Sequence, residues 1–344
     1  ATENAVKMAL QYHRERGKGS KQIIIGRWSS FHGATLASLG YGGNPGRRRP
    51  YPARTSGFEH IPPCNPYRPW PGMRPESLGE DAADYLELVI RQLGADNVAA
   101  FIAEPIVGAT LGAVPAAPGY FERVREICDR HDVLFIADEV MTGFGRSGTH
   151  FAIEQWGVTP DLIACAKGIS GGYTPLGAVI AKPEIVGEVK ARGSSFIIGH
   201  TACGNPLSCA VGAAVLGYVR DHNLTANAAA VGTYFIDQLR RLQCRHEVVG
   251  DVRGRGLLVG MEFVSDRESK APFPRDRKVS AQFGKATLER GLISYPGQGT
   301  ANGEDGDHVL YAPPMTITKE QIDEMVAIID ASLGAVQQEL SARI

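Results

Sequence analysis

The apolar and polar positions in the first two-thirds of the chain follow two alternating patterns. Short continuous apolar runs are typical of strands buried on both faces, and apolar residues three or four positions apart are typical of helices. The predicted strands are 21–26, 98–104, 133–138 and 161–166, and the predicted helices are 1–17, 31–40, 80–94 and 119–131. This order predicts βαβ units, and therefore an α/β fold with a mostly parallel sheet and helices on both faces.

The last third of the chain is organised differently. Helices are predicted at 205–223, 226–243 and 279–291, a glycine-interrupted strand region at 248–264, and a strand at 308–313. Thr318 and Gln321 have the capping-box spacing that begins a closing helix. We therefore predict a large domain at 1–220 and a smaller α+β C-terminal domain at 221–344.

Residues 41–79 are rich in glycine, proline, arginine and aromatic side chains, and they carry no regular apolar period. We predict a long loop without secondary structure. Such loops inside compact domains usually cover a functional site or an interface. A plain surface excursion is the alternative, and the composition does not separate the two.

Composition and charge narrow the class of protein. The chain has 344 residues, 43% hydrophobic and 21% charged, which is typical of a folded globular protein. Its net charge of −1 gives no indication of nucleic-acid or membrane binding. The six cysteines are scattered without a C-x-x-C pair. We interpret them as small buried residues in a reducing compartment, and we expect a cytoplasmic protein without a metal site.

Three ionisable residues stand where a core strand should stop. Glu104 ends the run "VAAFIAE", Asp138 ends "VLFIAD", and Lys167 follows "DLIACA". Ligands of open parallel sheets bind beyond the carboxyl ends of the strands, so we predict that these groups face one crevice. The alternative is an ordinary Lys–Asp ion pair at the edge of the sheet.

A lysine and an aspartate in such a crevice are the two side chains that pyridoxal phosphate (PLP) needs. Glycines surround Lys167 in "CAKGISGGY", and glycine allows a ligand to approach the backbone closely. A lysine near a dry pocket loses proton affinity and becomes a nucleophilic amine. Lys167 and Asp138 therefore predict a Schiff-base lysine and an acid that keeps the pyridinium protonated.

Longer motifs resemble those of the class III PLP-dependent aminotransferases, the fold type I group that contains the ω-amino acid aminotransferases. The segment "FIADEVMTGFGRSG" is followed by "PDLIACAKGISGGYTPLGAV", as in that family. The other motifs with family counterparts, in the same order, are "SFHG", "AEPI", "GHTACGNPLSCA", "VRGRGLLVGMEF" and "APPMTIT". The resemblance covers nearly the whole chain, and it implies the large domain of PLP fold type I.

The resemblance implies roles for the residues that match the family motifs. Lys167 would bind the cofactor covalently and move a proton between cofactor and substrate, and Asp138 would pair with the pyridine nitrogen. Phe31 and Val140 would contact the two faces of the cofactor ring. The alternative is that Phe31 and Val140 are ordinary residues of the hydrophobic core.

The resemblance also implies residues around the edge of the site. His32 and Glu104 would line its floor. Thr201 would reach the cofactor phosphate, usually from the partner subunit of a homodimer with shared active sites. A threonine after a histidine is otherwise a common turn hydroxyl, and a glutamate before a proline is a common turn acceptor.

Two features differ from the family pattern. The Ser/Gly turn that binds the phosphate in the family would lie just before Ala1, so we expect a sequence truncated at its N-terminus. The ornithine and γ-aminobutyrate branches carry a Glu after "EPI" and an Arg before "APP", where this chain has Ala109 and Leu310. Absence of both partners avoids an unpaired buried charge. It favours the ω-amino acid or amine:pyruvate type.

The predicted function is transamination, from an amine or amino acid to a keto acid such as pyruvate. Arg146, Arg253 and Arg255 are candidate ligands of the substrate carboxylate, since arginine binds carboxylates through two N–H groups. An aminomutase, a racemase or a decarboxylase would use the same electron sink. The presence of an intact Lys167 argues against a non-catalytic binding protein. The lack of a G-x-G-x-x-G motif after the first strand argues against a nicotinamide-dependent dehydrogenase.

Overall fold

The computed structural model describes residues 1–52 and 57–341. Backbone contacts group the chain into two compact units. The first unit contains Ala1–Pro105, Ala116–Phe144 and His150–His222, and the second contains Ile106–Pro115, Gly145–Thr149 and Asn223–Ile344. The division into domains 1–220 and 221–344 stays a prediction.

The described residues form strands and helices that we number in chain order. The strands are β1 (Ile23–Arg27), β2 (Glu59–Ile61), β3 (Val98–Ala103), β4 (Ile106–Val107), β5 (Val114–Pro115), β6 (Leu134–Asp138), β7 (Leu162–Cys165), β8 (Ala178–Ala181), β9 (Val249–Arg255), β10 (Leu258–Phe263), β11 (Tyr295–Gln298) and β12 (Asp307–Tyr311). The helices are α1 (Thr2–Glu15), α2 (Leu36–Tyr41), α3 (Pro45–Arg48), α4 (Leu78–Leu93), α5 (Tyr120–Arg130), α6 (Pro183–Ala191), α7 (Pro206–Asp221), α8 (Leu224–Arg245), α9 (Val279–Glu289) and α10 (Lys319–Ser341). Among the described residues, none of these helices is long and apolar enough to cross a membrane.

The first unit is built on a mostly parallel sheet with the strand order β2-β1-β3-β6-β7-β8. Neighbouring strands run parallel, except that β8 runs antiparallel to β7. The strands that the sequence predicts lie next to one another in the middle of this sheet, and helices follow them along the chain. The predicted α/β class with a mostly parallel sheet is confirmed.

Helices cover both faces of this sheet, because successive residues of a strand point to opposite sides. Ala100 and Ile136 pack in one cluster with Ala5 of α1. On the other face, the ring of Phe135 stacks on that of Phe121 from α5, with 5.6 Å between the ring centroids. Both β3 and β6 are buried along their whole length, which explains their continuous apolar character.

The second unit contains an antiparallel sheet with the order β11-β12-β10-β9. Its core includes Phe235 of α8, Phe283 of α9 and Ile329 of α10. The capping box that the sequence predicts begins α10: the Thr318 amide donates to Gln321 Oε1 at 3.0 Å, and the Gln321 amide donates to Thr318 Oγ1 at 3.3 Å. β4 and β5 form a separate antiparallel pair.

The prediction of a loop without secondary structure at 41–79 is wrong in part. This segment contains α3 and also β2, which extends the sheet beside β1. The part of the segment at 53–56 lies outside the described residues. Sequence analysis also missed β8 and α6, because β8 is only half-buried and lacks the continuous apolar run of the central strands.

The prediction that the cysteines are buried holds for only half of them. Cys64, Cys128 and Cys165 are buried, whereas Cys203, Cys209 and Cys244 are exposed. Cys209 and Cys244 lie on α7 and α8, where a helical residue faces solvent whenever its side of the helix has no neighbour. Spacing along the sequence does not show which side that is.

Candidate active site

The carboxyl ends of three adjacent strands bring the predicted ionisable residues together. β3, β6 and β7 are parallel neighbours, and Asp138 pairs with Ala164 across the last two. Glu104 follows β3, Asp138 ends β6, and Lys167 begins a 3-10 helix shortly after β7. This edge is where an open parallel sheet binds its ligands.

Asp138 is a buried carboxylate with fixed partners. The residue is 3% exposed. Its Oδ1 accepts from the Val140 amide at 3.0 Å, and its Oδ2 lies 2.7 Å from His32 Nδ1. An ionised carboxylate can only accept, so in that state the imidazole N–H is the donor of this bond. These bonds orient the carboxylate and offset the cost of its burial.

His32 is held from its backbone as well as from its ring. Thr2 Oγ1 donates to the His32 carbonyl at 2.6 Å, and Tyr41 donates to Thr2 at 3.3 Å. The Nε2 atom of His32 is buried and has no hydrogen-bond partner within the described part of the chain. The ring nitrogen that faces Asp138 is the other one, Nδ1.

Lys167 occupies an unusual backbone conformation. Its φ is 44°, in the left-handed region that non-glycine residues seldom adopt. Such strain is found most often at functional sites. The residue as a whole is exposed. Desolvation of its ammonium group nevertheless lowers the pKa of Lys167, and the charges of Asp138 and Glu104 act in the opposite direction. Both carboxylates are therefore within electrostatic range of this amine.

Glu104 is anchored through its backbone. The buried guanidinium of Arg27 donates to the Glu104 carbonyl at 2.5 Å, and it lies 5.7 Å from the ring centroid of Tyr120. Arg27 belongs to β1, the neighbour of β3 in the sheet, so its hydrogen bond holds the end of β3 in place. The Glu104 side chain is itself buried, close enough for its charge to raise the pKa of Lys167.

Phe31 and Val140 are sequence neighbours of the polar site residues: Phe31 precedes His32, and Val140 lies two positions after Asp138. Both side chains are half-buried. The Arg47 guanidinium covers the Phe31 ring at 4.4 Å from its centroid. Val140 belongs to the turn whose amide binds Asp138. Their placement on the two faces of a cofactor ring remains a prediction.

Thr201 is the predicted phosphate ligand. It lies in the turn before α7 and is exposed. Within the described part of the chain, it makes no hydrogen bond to any other predicted site residue. Its role as a phosphate ligand remains a prediction that concerns a second subunit.

The candidate substrate arginines have very different surroundings. Arg253 is buried, forms an ion pair with Glu262 at 2.6 Å and donates to the Gly112 carbonyl at 2.9 Å. Arg146 donates to the carbonyls of Leu257 and Pro313, and burial lowers its pKa to about 10. Both guanidinium groups are thus engaged in holding the second unit together.

Of the three arginines, Arg255 alone is exposed. It lies at the end of β9, paired in register with Leu258. Position 109, where some branches carry a glutamate, contributes its carbonyl oxygen to His308 at 3.0 Å. Leu310 is buried within β12. Neither of the last two positions offers a charge to a substrate.

Sequence analysis assigned no role to Glu139, the acid next to Asp138. The structure buries it completely and surrounds its carboxylate with hydrogen-bond donors from 142 and 152–153. The signal in the sequence was the pair of adjacent acids at the end of an apolar strand. The partners lie in a later segment without a motif, so only the folded chain identifies them.

The donors and acceptors of this site fit PLP. A carboxylate offers about four lone-pair positions, and the described residues occupy two on Asp138. A cationic ring nitrogen could take a third. Lys167 supplies the amine, and His32 holds Asp138 in place through Nδ1. Among the described residues, no group of three or more His, Cys, Asp or Glu side chains is arranged to hold a metal ion.

Comparison with solved structures reaches the same fold. An amine transaminase from an uncultivated Pseudomonas species, solved with PLP bound, superimposes with a TM-score of 0.90 at 34% identity. The match covers 98% of this chain and 74% of that one. The mostly parallel α/β architecture is therefore that of the PLP fold type I transaminases.

Sequence relatives and a family model identify the group more closely. The chain is 36% identical over 340 residues to the uncharacterized aminotransferase YodT of Bacillus subtilis, across 99% of this chain and 76% of that protein. It is 38% identical over 341 residues to an omega-aminotransferase of Caulobacter vibrioides, across 98% and 74%. The family model for aminotransferase class-III matches residues 1–333. With its strand-end lysine and aspartate, this chain belongs to the class III family of PLP-dependent aminotransferases.

Proposed function

We propose that the protein transfers an amino group from an amine or an ω-amino acid to pyruvate, with PLP bound by Lys167 and Asp138. The observation that carries this proposal is the position of these two residues at the carboxyl ends of adjacent parallel strands: Asp138 ends β6, and Lys167 follows β7. When bound, PLP supplies an electron sink for the carbon that carries the amino group.

The side chains of the site have complementary tasks. Because desolvation lowers the pKa of Lys167, its amine is more readily neutral, and a neutral Nζ can accept a proton from the donor carbon. The Asp138 carboxylate holds a proton on a cationic ring nitrogen through its negative charge. His32 Nδ1 orients that carboxylate. We assign the faces of the ring to Phe31 and Val140.

The substrate type follows from two apolar positions. Ala109 and Leu310 stand where the ornithine and γ-aminobutyrate branches carry a Glu and an Arg. Without this charged pair, the site has no gate for a second substrate charge, which favours simple amines and ω-amino acids. The omega-aminotransferase from Caulobacter vibrioides is a relative whose name agrees with this choice.

We also propose a homodimer with shared active sites, formed through α7. This helix is strongly apolar, yet Leu207 is 71% exposed and Tyr218 is 52% exposed. Exposed apolar surfaces of this kind mark protein–protein contacts. A Cβ on Gly212 of α7 would lie 3.4 Å from the Ile169 carbonyl, in the 3-10 helix that begins at Lys167. The helix that carries the exposed residues therefore packs, through its buried side, next to the site.

The reaction itself is the first test. With an amine donor and pyruvate, we expect ketone and alanine in a one-to-one ratio, measured by chromatography, because the donor carbon is oxidised as pyruvate is aminated. A decarboxylase would release carbon dioxide without needing pyruvate, a racemase would invert its substrate, and an aminomutase would give an isomer. Product formation without alanine, from a range of amines, would contradict the proposal.

Asp138→Asn tests the charge beside the ring nitrogen. An amide has nearly the same shape but no charge to hold the pyridinium proton. We expect the rate of alanine formation to fall by about two to four powers of ten. Asp237→Asn is the matched control, because Asp237 is exposed on α8 and pairs only loosely with Arg240 at 3.6 Å. Near-full activity of Asp138→Asn would show that Asp138 has a structural role.

The dimer is tested by sedimentation velocity. We expect the protein to sediment as a dimer at micromolar concentration and Leu207→Asp to sediment as a monomer, since a charge in an apolar interface is costly. Leu288→Asp is the control, because Leu288 is 61% exposed on α9.

Thr201→Ala should weaken PLP binding about tenfold, the cost of roughly one lost hydrogen bond to a charged group. A monomeric wild-type protein rules out the shared site.

A further inference from the structure

Asp138 and Glu139 are consecutive acids that point in different directions. The Glu139 amide donates to the Ala164 carbonyl at 3.0 Å, which continues the pairing of β6 with β7 by one residue. Successive side chains of an extended chain alternate between the two faces of a sheet. Asp138 turns to His32, whereas Glu139 turns to residues 142 and 152–153. The two carboxylates therefore have separate tasks.

The Glu139 carboxylate caps the 3-10 helix at Ala152–Trp156. Its Oε1 accepts from the Ile153 amide at 2.8 Å, and its Oε2 accepts from the Ala152 amide at 3.0 Å. The first amides of a helix have no partner within the helix, and burying them without one is costly. Thr142 also donates its hydroxyl to Oε2. A single buried carboxylate thus satisfies three donors from two segments.

These bonds fix the turn that follows Asp138. The Gly143 amide donates to the Glu139 carbonyl at 2.9 Å. A Cβ at Gly143 would lie 2.9 Å from that same oxygen, so the turn has no room for a side chain. A Cβ at Gly168 would lie 3.4 Å from the Gly143 carbonyl and 3.7 Å from Phe144 Cβ. The turn therefore lies close to Gly168, the residue after Lys167, with room for little more than a methyl group between them.

We propose that Glu139 is a positioning residue, whose carboxylate fixes the turn at 140–144 and thereby the Asp138 carboxylate and the backbone at Lys167. The amide that binds Asp138 belongs to Val140, which is the first residue of this turn. Gly168 lies close to the turn on its other side. Glu139 itself touches neither reacting group. Its consequence for catalysis rests on the proposed transamination, whereas its effect on the turn does not.

The protonation of Glu139 gives an additional readout. Burial raises its pKa to about 7, the bonds from Thr142, Ile153 and Ala152 oppose this, and the neighbouring Asp138 charge adds to it. The nearby Cys165 thiol has a pKa raised to about 12 and stays neutral. Because the pKa is higher in the folded than in the unfolded protein, stability due to this group falls as pH rises from about 4.5 to 7 and is level above 7.

Glu139→Gln tests the proposal, because an amide of the same size must direct an N–H group at one of the three donors. We expect three results: about tenfold faster hydrogen exchange at the Ala152 and Ile153 amides of the cofactor-free protein, about tenfold weaker PLP binding by fluorescence titration, and about a tenfold lower kcat with little change in the donor KM. The decline in stability between pH 4.5 and 7 should also disappear.

Glu154→Gln is the matched control. Glu154 Oε1 accepts from the Phe151 amide at 3.1 Å, at the start of the same 3-10 helix but on its exposed side. We expect this variant to keep PLP affinity and kcat within about twofold of the wild type, as surface changes usually do. If Glu139→Gln does not fold, Thr142→Val removes one of the three bonds and should shift amide exchange, PLP affinity and kcat in the same direction by less.

The outcomes separate the two hypotheses. Faster amide exchange with unchanged PLP affinity and kcat would show that Glu139 is only structural. Unchanged exchange at both amides would overturn the capping geometry. If the wild type bound PLP but formed no alanine, the proposed function would fail. Amide exchange and PLP affinity would still report whether Glu139 positions the turn.

Discussion

The site depends on a buried carboxylate at the end of a central strand. Removing the charge of Asp138 from water costs several kcal/mol unless donors replace the solvent. The His32 ring and the Val140 amide provide them, and each has to be held in place: His32 by Thr2, and Val140 by the turn after β6. Much of the local structure around this edge of the sheet follows from supporting a single charge.

The adjacent acids show how one sheet edge serves two purposes. Alternation along the strand sends Asp138 towards the site and Glu139 towards the framework behind it. Glu139 then determines the turn that contributes the Val140 amide and lies close to Gly168. The geometry of Asp138 and the backbone at Lys167 are therefore coupled through a residue that need not contact cofactor or substrate.

The sequence was sufficient for the central sheet and for the residues at its edge. Strands buried on both faces leave continuous apolar runs, and a charged residue at the end of such a run is conspicuous, as with Asp138. It was insufficient where the partner is distant and has no motif. The amides of 152–153 that bind Glu139, and the carbonyls of Leu111 and Gly112 that engage Arg253, are known only once the chain is folded. Because the carbonyl partners of Arg253 are distant in the sequence, the sequence left this residue as a candidate substrate ligand.

The most direct test of this account is to find which side chain holds the cofactor. The protein is incubated with PLP, reduced with borohydride, digested and mapped by mass spectrometry. Borohydride makes a lysine–cofactor linkage permanent, so we predict a single major label on Lys167, which disappears in Lys167→Ala. A label on another lysine, or none in a protein that binds PLP, would contradict the assignment of the active site to the ends of β6 and β7.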